Sequence, residues 1–325
     1  MSVDPLSDIV RSLNLTGAVF LNAEFTAPWA ITAHVTEDDC RPFMPIPRQV
    51  IAYHVVVDGE AVFSLNNGAS DQTHYRVTQG DIIFVPRNKT HILASSKGVQ
   101  PVPGDDLLLP CGEDGLVQIR HGGGGDLTRI LCGFMASETG SSPLLETLPE
   151  ILIVSIESLE TRRWIEASVL MAAQAFSKGR LSSGAMVPTL CQLLLTEALR
   201  AHIEQSPKPS GWLGGIAHPR IGPALSQIHA SLTSPPGIDT LAAEAGMSRS
   251  AFVERFSQVM GVAPSRYMLN QRMELAKALL QDDRMTTAEI AFKVGYDAPE
   301  AFSRAFKRET GHAPGSWRDL KSAAS

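Results

Sequence analysis

Hydrophobic and polar positions in the last third of the chain follow one pattern that occurs twice, at an offset of 49 to 50 residues. Each copy reads as a short helix, a glycine turn, a polar cap and a longer amphipathic helix, which predicts a helix-turn-helix unit. The first copy comprises Leu241, Ala242, Ala245, Gly246, Met247, Ser248, Phe252, Phe256, Gly261, Pro264 and Tyr267. The second comprises Ile290, Ala291, Val294, Gly295, Tyr296, Asp297, Phe302, Phe306, Gly311, Pro314 and Trp317. Agreement at this many positions favours two related units over two chance helical hairpins.

The first unit shows why each residue type suits its place. Gly246 supplies the positive φ with which the short helix ends, a conformation that a Cβ disfavours. Ser248 is a strong N-cap for the longer helix, in which Phe252, Phe256 and Val259 form one apolar stripe.

The second unit repeats this arrangement. Gly295 turns the chain, and Asp297 or the adjacent Ala298 and Pro299 begin the longer helix. Between the units, Ser265 to Gln281 predicts a helix about 25 Å long. With its flanking turns, this helix is long enough to place the two longer helices roughly one turn of DNA apart.

The longer helix of each unit leaves a polar face exposed at its start, and the start of such a helix is the part that enters a DNA major groove. The predicted groove-facing residues are Arg249, Ser250, Val253 and Glu254 in the first helix and Pro299, Glu300, Ser303 and Arg304 in the second. Arg304 is the strongest candidate for reading a base, because its guanidinium matches O6 and N7 of guanine. Lys307 and Arg308, one turn later, are predicted to contact phosphates.

The first part of the chain predicts a sheet, because short strand-like runs replace the helical period. Four such runs are Gln49 to Val57, Glu60 to Leu65, Asp81 to Val85 and His91 to Ser95. Turn residues separate the runs, and their number and spacing indicate a sandwich or barrel. The segment from Lys97 to Asp126 is rich in glycine, proline and aspartate, which predicts a flexible loop between two strands.

Four regions follow from these changes of period, and together they predict an α+β protein. Residues 1–142 are predicted as a β-barrel domain, 143–205 as a helical region, 206–218 as a linker and 219–325 as the DNA-binding domain. Two runs at helical spacing support the helical region: Trp164, Ile165, Val169, Leu170, Ala173 and Phe176, and then Leu190, Leu193, Leu194, Glu197, Ala198 and Leu199. These helices either cover the barrel or pair with a second subunit.

Charge is distributed unevenly between these regions. The whole chain has a net charge of −6, but residues 216–325 carry 13 basic and 11 acidic side chains, against 15 and 23 in the remainder. The repeat region is therefore mildly basic, which is compatible with phosphate contacts. No stretch approaches the roughly 18 apolar residues of a membrane span, and Met1 to Arg11 does not read as a secretory signal. The four cysteines lie far apart, so we expect a cytoplasmic protein without disulfides or structural zinc.

The repeat carries a family resemblance. Residues 290–296 and 301–308, with Gly311, Pro314 and Trp317-Arg318, resemble the signature of the AraC/XylS transcription regulators, and residues 246–252 and 271–276 also fit it. The resemblance covers about residues 219–320. It implies two recognition helices in successive major-groove segments, the groove-facing roles assigned above, activation more often than repression, and RNA polymerase as a partner.

One departure from the family pattern affects the first recognition helix. Val253 and Glu254 stand where the family often has Gln or Arg, and neither residue donates well to a base edge. Base reading by this helix is therefore expected to depend on Arg249, with a larger contribution from the second helix.

A second resemblance concerns residues 15–205. Gly80 to Pro86 followed by His91 is similar to the second motif of the cupin β-barrel, and Tyr53 to Gly59 is similar to the end of the first motif. With Cys132-Gly-Phe134 and residues 142–145, these segments resemble the cupin-type sensor half of one branch of the AraC family. Tyr53, His54 and His91 are then candidates for lining a small-molecule pocket at the barrel mouth.

The metal site of cupin enzymes is not reproduced in this sequence. Those enzymes hold a metal with three histidines and a glutamate, but Ala52 occupies the glutamate position, and residues 45–48, which are Pro, Ile, Pro and Arg, occupy the histidine positions. Only His91 corresponds to a ligand, and one imidazole does not hold a transition metal tightly. We therefore expect no metal and no cofactor, and a hydrogen-bonded structural role for His91.

Two functions from different classes stay open. The leading hypothesis is a sequence-specific transcription regulator, not an enzyme, that binds double-stranded DNA, responds to a small effector and dimerises through helices near residues 160–205. The alternative is a cupin-type metal-dependent enzyme, such as a dioxygenase or isomerase, with a helical accessory domain. The missing ligands argue against the enzyme, and the absence of an RNA-recognition motif argues against RNA binding.

Overall fold

The computed structural model describes residues 5–13, 15–41, 49–66, 73–112, 115–137, 148–156, 163, 167–168, 183–205, 211–280 and 285–322. These residues fall into two compact units. The first unit lies between residues 15 and 202 and contains the strands, and the second combines the first helix with the residues from 203 onward. A sheet-rich unit and a helical unit in one chain confirm the predicted α+β class.

The first unit contains two sheets. Its strands are β1 (Leu15–Thr26), β2 (Ala30–Ala33), β3 (Gln49–Asp58), β4 (Glu60–Leu65), β5 (Tyr75–Thr78), β6 (Asp81–Val85), β7 (His91–Ala94), β8 (Val102–Pro103), β9 (Leu108–Leu109), β10 (Val117–Gly122), β11 (Leu127–Ser137) and β12 (Leu152–Ser155). The larger sheet has the order β12-β6-β3-β11-β1-β10-β9, and the smaller has the order β5-β4-β7-β2-β8.

Both sheets contribute to one apolar core. Phe25, Ile83 and Phe134 come from the larger sheet, and Phe63 and Leu93 come from the smaller one. This is the cupin-like architecture that the sequence predicts, with the four predicted runs forming β3, β4, β6 and β7. Across the strands that the structure describes, no hydrogen-bonded ladder joins the two sheets into a closed barrel.

The prediction of a flexible loop from Lys97 to Asp126 is wrong. This segment contains β8, a 3-10 helix (Gly104–Leu107), β9 and β10, and β10 runs parallel to β1 and pairs on its other side with the edge strand β9. The glycines allow the backbone to approach closely, because a Cβ on Gly122 would lie only 1.8 Å from the carbonyl oxygen of Thr26. Glycine here serves backbone packing rather than flexibility.

The helical region after the strands is described only in part. The predicted helix around Trp164 to Phe176 falls largely outside the described residues. The second predicted run lies in a helix numbered α3 (Ser183–Gln205), which follows α1 (Pro5–Ser12) and α2 (Glu37–Cys40) in the chain. None of the helices in the described ranges is long and apolar enough to cross a membrane.

The second unit is all-helical. Its helices after α3 are α4 (Gly211–Ala217), α5 (Ile221–Ala230), α6 (Ile238–Glu244), α7 (Arg249–Met260), α8 (Pro264–Leu280), α9 (Thr287–Lys293), α10 (Pro299–Thr310) and α11 (Pro314–Ser322). Helix α1 packs against α5, where Pro5 lies beside Gly222. Residues 211–217 belong to the predicted linker but form α4, because Trp212, Leu213 and Ile216 are apolar and buried.

The predicted duplication is present as two helix-turn-helix pairs, α6–α7 and α9–α10, joined by α8. The turn glycines, Gly246 and Gly295, have φ values of 63° and 82°. The side chain of Ser248 caps α7 by accepting a hydrogen bond from the backbone N–H of Ala251. Helix α10 begins differently, with Ala298 at the N-cap and proline in its first turn, which suits a position without an intrahelical N–H partner.

Candidate nucleic-acid interface and sensor cavity

Helix α7 presents its predicted groove-facing residues on the side away from the buried Phe252 and Phe256. Arg249 and Glu254 are exposed there. Nη1 of Arg249 donates to Oδ2 of Asp239 at 2.6 Å, and Nε2 of Gln258 donates to Oε1 of Glu254 at 3.2 Å. The polar groups of this face are therefore already engaged within the protein.

Two of these engaged residues were not anticipated from the sequence. Asp239 lies in α6 and faces α7 only because the turn folds the two helices together. Gln258 lies four residues after Glu254 in α7, so the helical period was the signal that could have identified it. Ser250 is exposed beside Ser248, with their hydroxyl oxygens 3.3 Å apart, and Val253 is half-buried.

Helix α10 presents a more open face. Glu300, Arg304 and Lys307 are exposed, while Pro299 and Ser303 are half-buried. Within the described ranges, the side chains of Arg304 and Lys307 make no hydrogen bond or ion pair. Arg308, by contrast, donates from Nε to Oε1 of Glu309 at 3.1 Å. Arg304 and Lys307 of α10 are thus available to an external partner. Arg249 of α7 must first break its ion pair with Asp239.

The sheet unit contains a buried chain of hydrogen bonds. Nε2 of His54 lies 2.7 Å from Nε2 of His91, and Nδ1 of His54 lies 3.0 Å from Sγ of Cys132. The other ring nitrogen of His91, Nδ1, lies 2.8 Å from the carbonyl oxygen of Lys89. Neighbouring strands β3 and β11 pair His54 with Cys132, and β7 supplies His91 from the opposite sheet.

The carbonyl oxygen of Lys89, at the end of this series of hydrogen bonds, determines which group donates at each step. A carbonyl oxygen cannot donate, so Nδ1–H of His91 donates to Lys89. Neutral His91 then accepts at Nε2 from Nε2–H of His54, and Nδ1 of His54 accepts from the thiol of Cys132. Burial is the main cause that lowers the pKa of both histidines, that of His91 to about 4, and burial raises the pKa of Cys132 to about 12. All three groups are therefore neutral near pH 7.

A small cavity of about 50 Å³ lies beside this chain. His54, His91 and Cys132 contribute to its lining. The apolar lining includes Leu21, Ile31, Val35, Leu108 and Ile119, and the polar lining also includes His34, Asp39 and Asp105. Burial, followed by the charge of Asp39, raises the pKa of Asp105.

The structure brings together two of the three predicted pocket residues. His54 and His91 line the cavity, but Tyr53 does not belong to its wall. Tyr53 is buried beside Phe84, with ring centroids 6.1 Å apart, because successive residues of a strand point to opposite faces. Cys132 also lines the cavity, and no local sequence pattern indicates this, since its strand β11 is distant from β7 in the chain.

The cavity residues do not fit the metal site of a cupin enzyme. Two imidazoles bound to one zinc ion at about 2.0–2.1 Å would stand farther apart than the Nε2 atoms of His54 and His91 do. Among the described residues, no group of three or more His, Cys, Asp or Glu side chains is placed to hold a metal ion.

Comparison with known proteins finds a matching family model for each part of the chain. The cupin family model matches residues 4–204, and a helix-turn-helix domain model matches residues 241–319. The regulator AlkR of Acinetobacter baylyi is 26% identical over 97% of this chain and 99% of its own length. An AraC-like transcription regulator of Streptomyces lividans is 29% identical over 97% and 98%, and the RCS-specific transcriptional activator RclR of Escherichia coli is 23% identical over 83% and 84%.

Proposed function

This chain belongs to the AraC-type helix-turn-helix transcription regulators that carry an N-terminal cupin domain, and from this premise we propose that it is an activator controlled by a small molecule. Members of this family bind DNA. We propose, in addition, which residues read the DNA, where the effector binds and how transcription responds.

Helices α7 and α10 enter successive major-groove segments of the promoter, and α10 contributes most of the base reading. The observation that carries this is the contrast between their arginines: Arg304 is exposed without a protein partner among the described residues, whereas Arg249 is paired with Asp239. A free guanidinium binds guanine without first breaking an ion pair. Ser250, Val253, Glu254, Pro299, Glu300 and Ser303 complete the two groove faces, and Lys307 and Arg308 contact phosphates.

Binding measurements on duplexes selected by the full-length protein from a random pool test this assignment. Arg304→Ala should weaken binding by about 1–3 kcal/mol, and the loss should vanish on duplexes in which the contacted G·C pair is already replaced. Arg255→Ala is the matched control, because Arg255 is exposed on α7 but lies near His218 rather than on the groove-facing side. Unchanged affinity of Arg304→Ala would overturn the assignment.

The effector occupies the cavity beside His54, His91 and Cys132. Their hydrogen bonds satisfy one another, so the remaining wall favours an apolar molecule. A cavity of about 50 Å³ is small for a ligand, so binding must widen it. Leu108, which is 44% exposed and lies at the cavity, is the side chain best placed to move.

Filling the cavity with a larger side chain tests the effector site. Ala33 lines the cavity and is half-buried, so Ala33→Phe should abolish the response to an effector while effector-free DNA binding stays within about twofold. His74→Phe, an exposed substitution outside the cavity, is the control. Small apolar compounds that raise the melting temperature of the wild type serve as probes. A response retained by Ala33→Phe would place the effector elsewhere.

Activation is the response we propose, because the relative RclR is named an activator and matches most of this chain. The protein acts in the cytoplasm, where the promoter is, with RNA polymerase as its partner. It acts as a homodimer joined through the region of residues 160–205, of which 183–205 are described as α3 and most of the remainder lies outside the described residues. Transcription from a selected promoter with purified polymerase tests this. Transcript levels should rise with the protein and its effector, and a fall would identify a repressor.

A further inference from the structure

The two turn glycines of the duplicated units have different surroundings. A Cβ on Gly246 would meet nothing within 4 Å, whereas a Cβ on Gly295 would lie 1.8 Å from the carbonyl oxygen and 2.8 Å from the carbonyl carbon of Thr233. Both residues have positive φ, so both resist a side chain for the same backbone reason. Only Gly295 also makes a close approach to another part of the backbone.

Thr233 belongs to residues 231–237, the segment between α5 and α6, which we name the clamp loop. The clamp loop precedes the first helix-turn-helix pair directly, since Gly237 is the N-cap residue of α6. Gly295 is the turn of the second pair and lies four residues before the first residue of α10, Pro299. The approach of Gly295 to Thr233 therefore joins the first unit to the turn that positions the second recognition helix.

A second contact holds the clamp loop against the connecting helix. Nε of Arg272, in the middle of α8, donates to the carbonyl oxygen of Leu232 at 3.1 Å. The adjacent carbonyls of Leu232 and Thr233 thus contact α8 and the α9–α10 turn respectively. The loop cannot shift without losing one of these contacts.

A third contact fixes the other end of α10. Nη1 of Arg266, in the first turn of α8, lies 2.7 Å from Oε2 of Glu309, whose side chain is only 9% exposed. Helix α10 is thus held near its start through Gly295 and near its end through Glu309. Contacts at both ends of a helix restrict its rotation as well as its displacement.

We propose that Gly295 and the clamp loop set the base-pair spacing between the two DNA segments that α7 and α10 read. This proposal rests on the proposed entry of both helices into the major groove. One added base pair shifts the second segment by about 3.4 Å and rotates it about the duplex axis. A rigid pair of helices discriminates against this shift, whereas a pair joined only through α8 would adapt. Gly295 is a positioning residue in this account, because it acts on DNA through α10.

The test compares full-length wild type, Gly295→Ala and Gly246→Ala on duplexes selected by the wild type from a random pool. Each duplex is also prepared in two further forms. One form contains a single recognised segment, and the other has one base pair inserted or deleted between the two segments. Gly295→Ala should lose at least about tenfold affinity for the full duplex, keep single-segment affinity within about twofold, and lose its preference for the original spacing. Gly246→Ala should keep both the preference and the ratio of full-duplex to single-segment affinity.

A general loss of protein stability would lower the affinities for the full duplex and for the single segment alike. The ratio of these two affinities therefore separates an effect on helix position from an effect on folding. If Gly295→Ala does not fold, Arg272→Met replaces it, since methionine removes the donor to Leu232 without adding a Cβ at position 295. Equal ratios and equal spacing preference in wild type and the folded variant would overturn the proposal.

Two further measurements distinguish this proposal from the groove assignment. Arg304→Ala on the same duplexes tests only whether α10 reads DNA. Hydrogen exchange without DNA tests only the clamp: Gly295→Ala should accelerate exchange at the N–H of Ser234, which donates to Ser231 within the clamp loop, and Gly246→Ala should not. Unchanged exchange at Ser234 would count against the clamp even if Arg304 proved essential.

Discussion

Nε2 of His54 and Nε2 of His91 lie 2.7 Å apart inside the sheet unit, so one proton occupies the space between two imidazoles. Because Nδ1 of His91 already donates to a carbonyl, a proton on Nε2 of His91 would place two N–H groups against each other. This hydrogen bond is therefore compatible only with neutral His91.

Acidification should destabilise the sheet unit through this pair. The folded-state pKa of His91, about 4, lies below the ordinary value of 6.5, and burial is the main cause. As the pH falls, His91 is therefore protonated in the unfolded chain at a higher pH than in the folded protein. The contribution of neutral His91 to stability is fully present above about pH 6.5 and declines as the pH falls towards 4. At about 1.4 kcal/mol per pKa unit, the loss from His91 is on the order of 3 kcal/mol at most.

Thermal unfolding between pH 7.5 and 4.5 measures this effect. His91→Asn should make the melting temperature depend less on pH. It should also lower the melting temperature at neutral pH, because it breaks the hydrogen bonds that His91 makes. His74→Gln changes an exposed histidine of the same unit and should leave the slope unaltered. A steep slope that persists in His91→Asn would assign the acid sensitivity to other groups.

The four thiols should separate clearly by reactivity. Cys111 is exposed, whereas Cys40, Cys132 and Cys191 are buried, and burial raises their pKa values to about 11, 12 and 12. A thiol-specific reagent should therefore modify one cysteine per chain in the native protein and four after unfolding. Mass mapping should place the native label on Cys111, and Cys111→Ser should remove it. Rapid native labelling of Cys132 would contradict the burial of this thiol.

Asp239 should restrain DNA binding by holding Arg249. Their exposed ion pair is worth at most about 1 kcal/mol, so freeing the guanidinium and removing one negative charge with Asp239→Asn should strengthen binding by up to about fivefold. The gain should disappear in the background of Arg249→Ala, which a double-mutant cycle measures. Asp319→Asn, an exposed change in α11, controls for net charge alone. Weaker binding by Asp239→Asn would mean that the pair orients Arg249 for DNA.

The hydroxyl of Tyr267 should stabilise the helical unit. It lies 2.7 Å from Nε1 of Trp212 and 2.7 Å from Nε2 of His229, joining α4, α5 and α8. Tyr267→Phe leaves both buried nitrogens without this partner, which should cost about 1–3 kcal/mol of unfolding free energy. Denaturant unfolding measures the loss. Tyr296→Phe, a half-buried tyrosine in the second helix-turn-helix pair, should cost less.

The sequence by itself determined the elements whose signals are local. Glycine followed by a cap and phenylalanines four residues apart specify a turn and an amphipathic helix within about ten residues, so both helix-turn-helix pairs could be predicted. Alternating strands with turn residues likewise predicted β3, β4, β6 and β7. The exposed positions of Arg304 and Lys307 followed from the same helical period, because neighbours on a helix are set by sequence spacing alone.

Only the tertiary structure decided the relationships between distant segments. Gly246 and Gly295 are equivalent in the repeat, yet only Gly295 touches Thr233, which lies 62 residues earlier. The ordered strand β10 depends on pairing with β1, and the hydrogen bonds of His54 depend on strands from two sheets. Helical and strand periods reveal which face of an element is buried, but they do not reveal which segment packs on that face. That choice depends on the simultaneous packing of the whole chain, which no local pattern records.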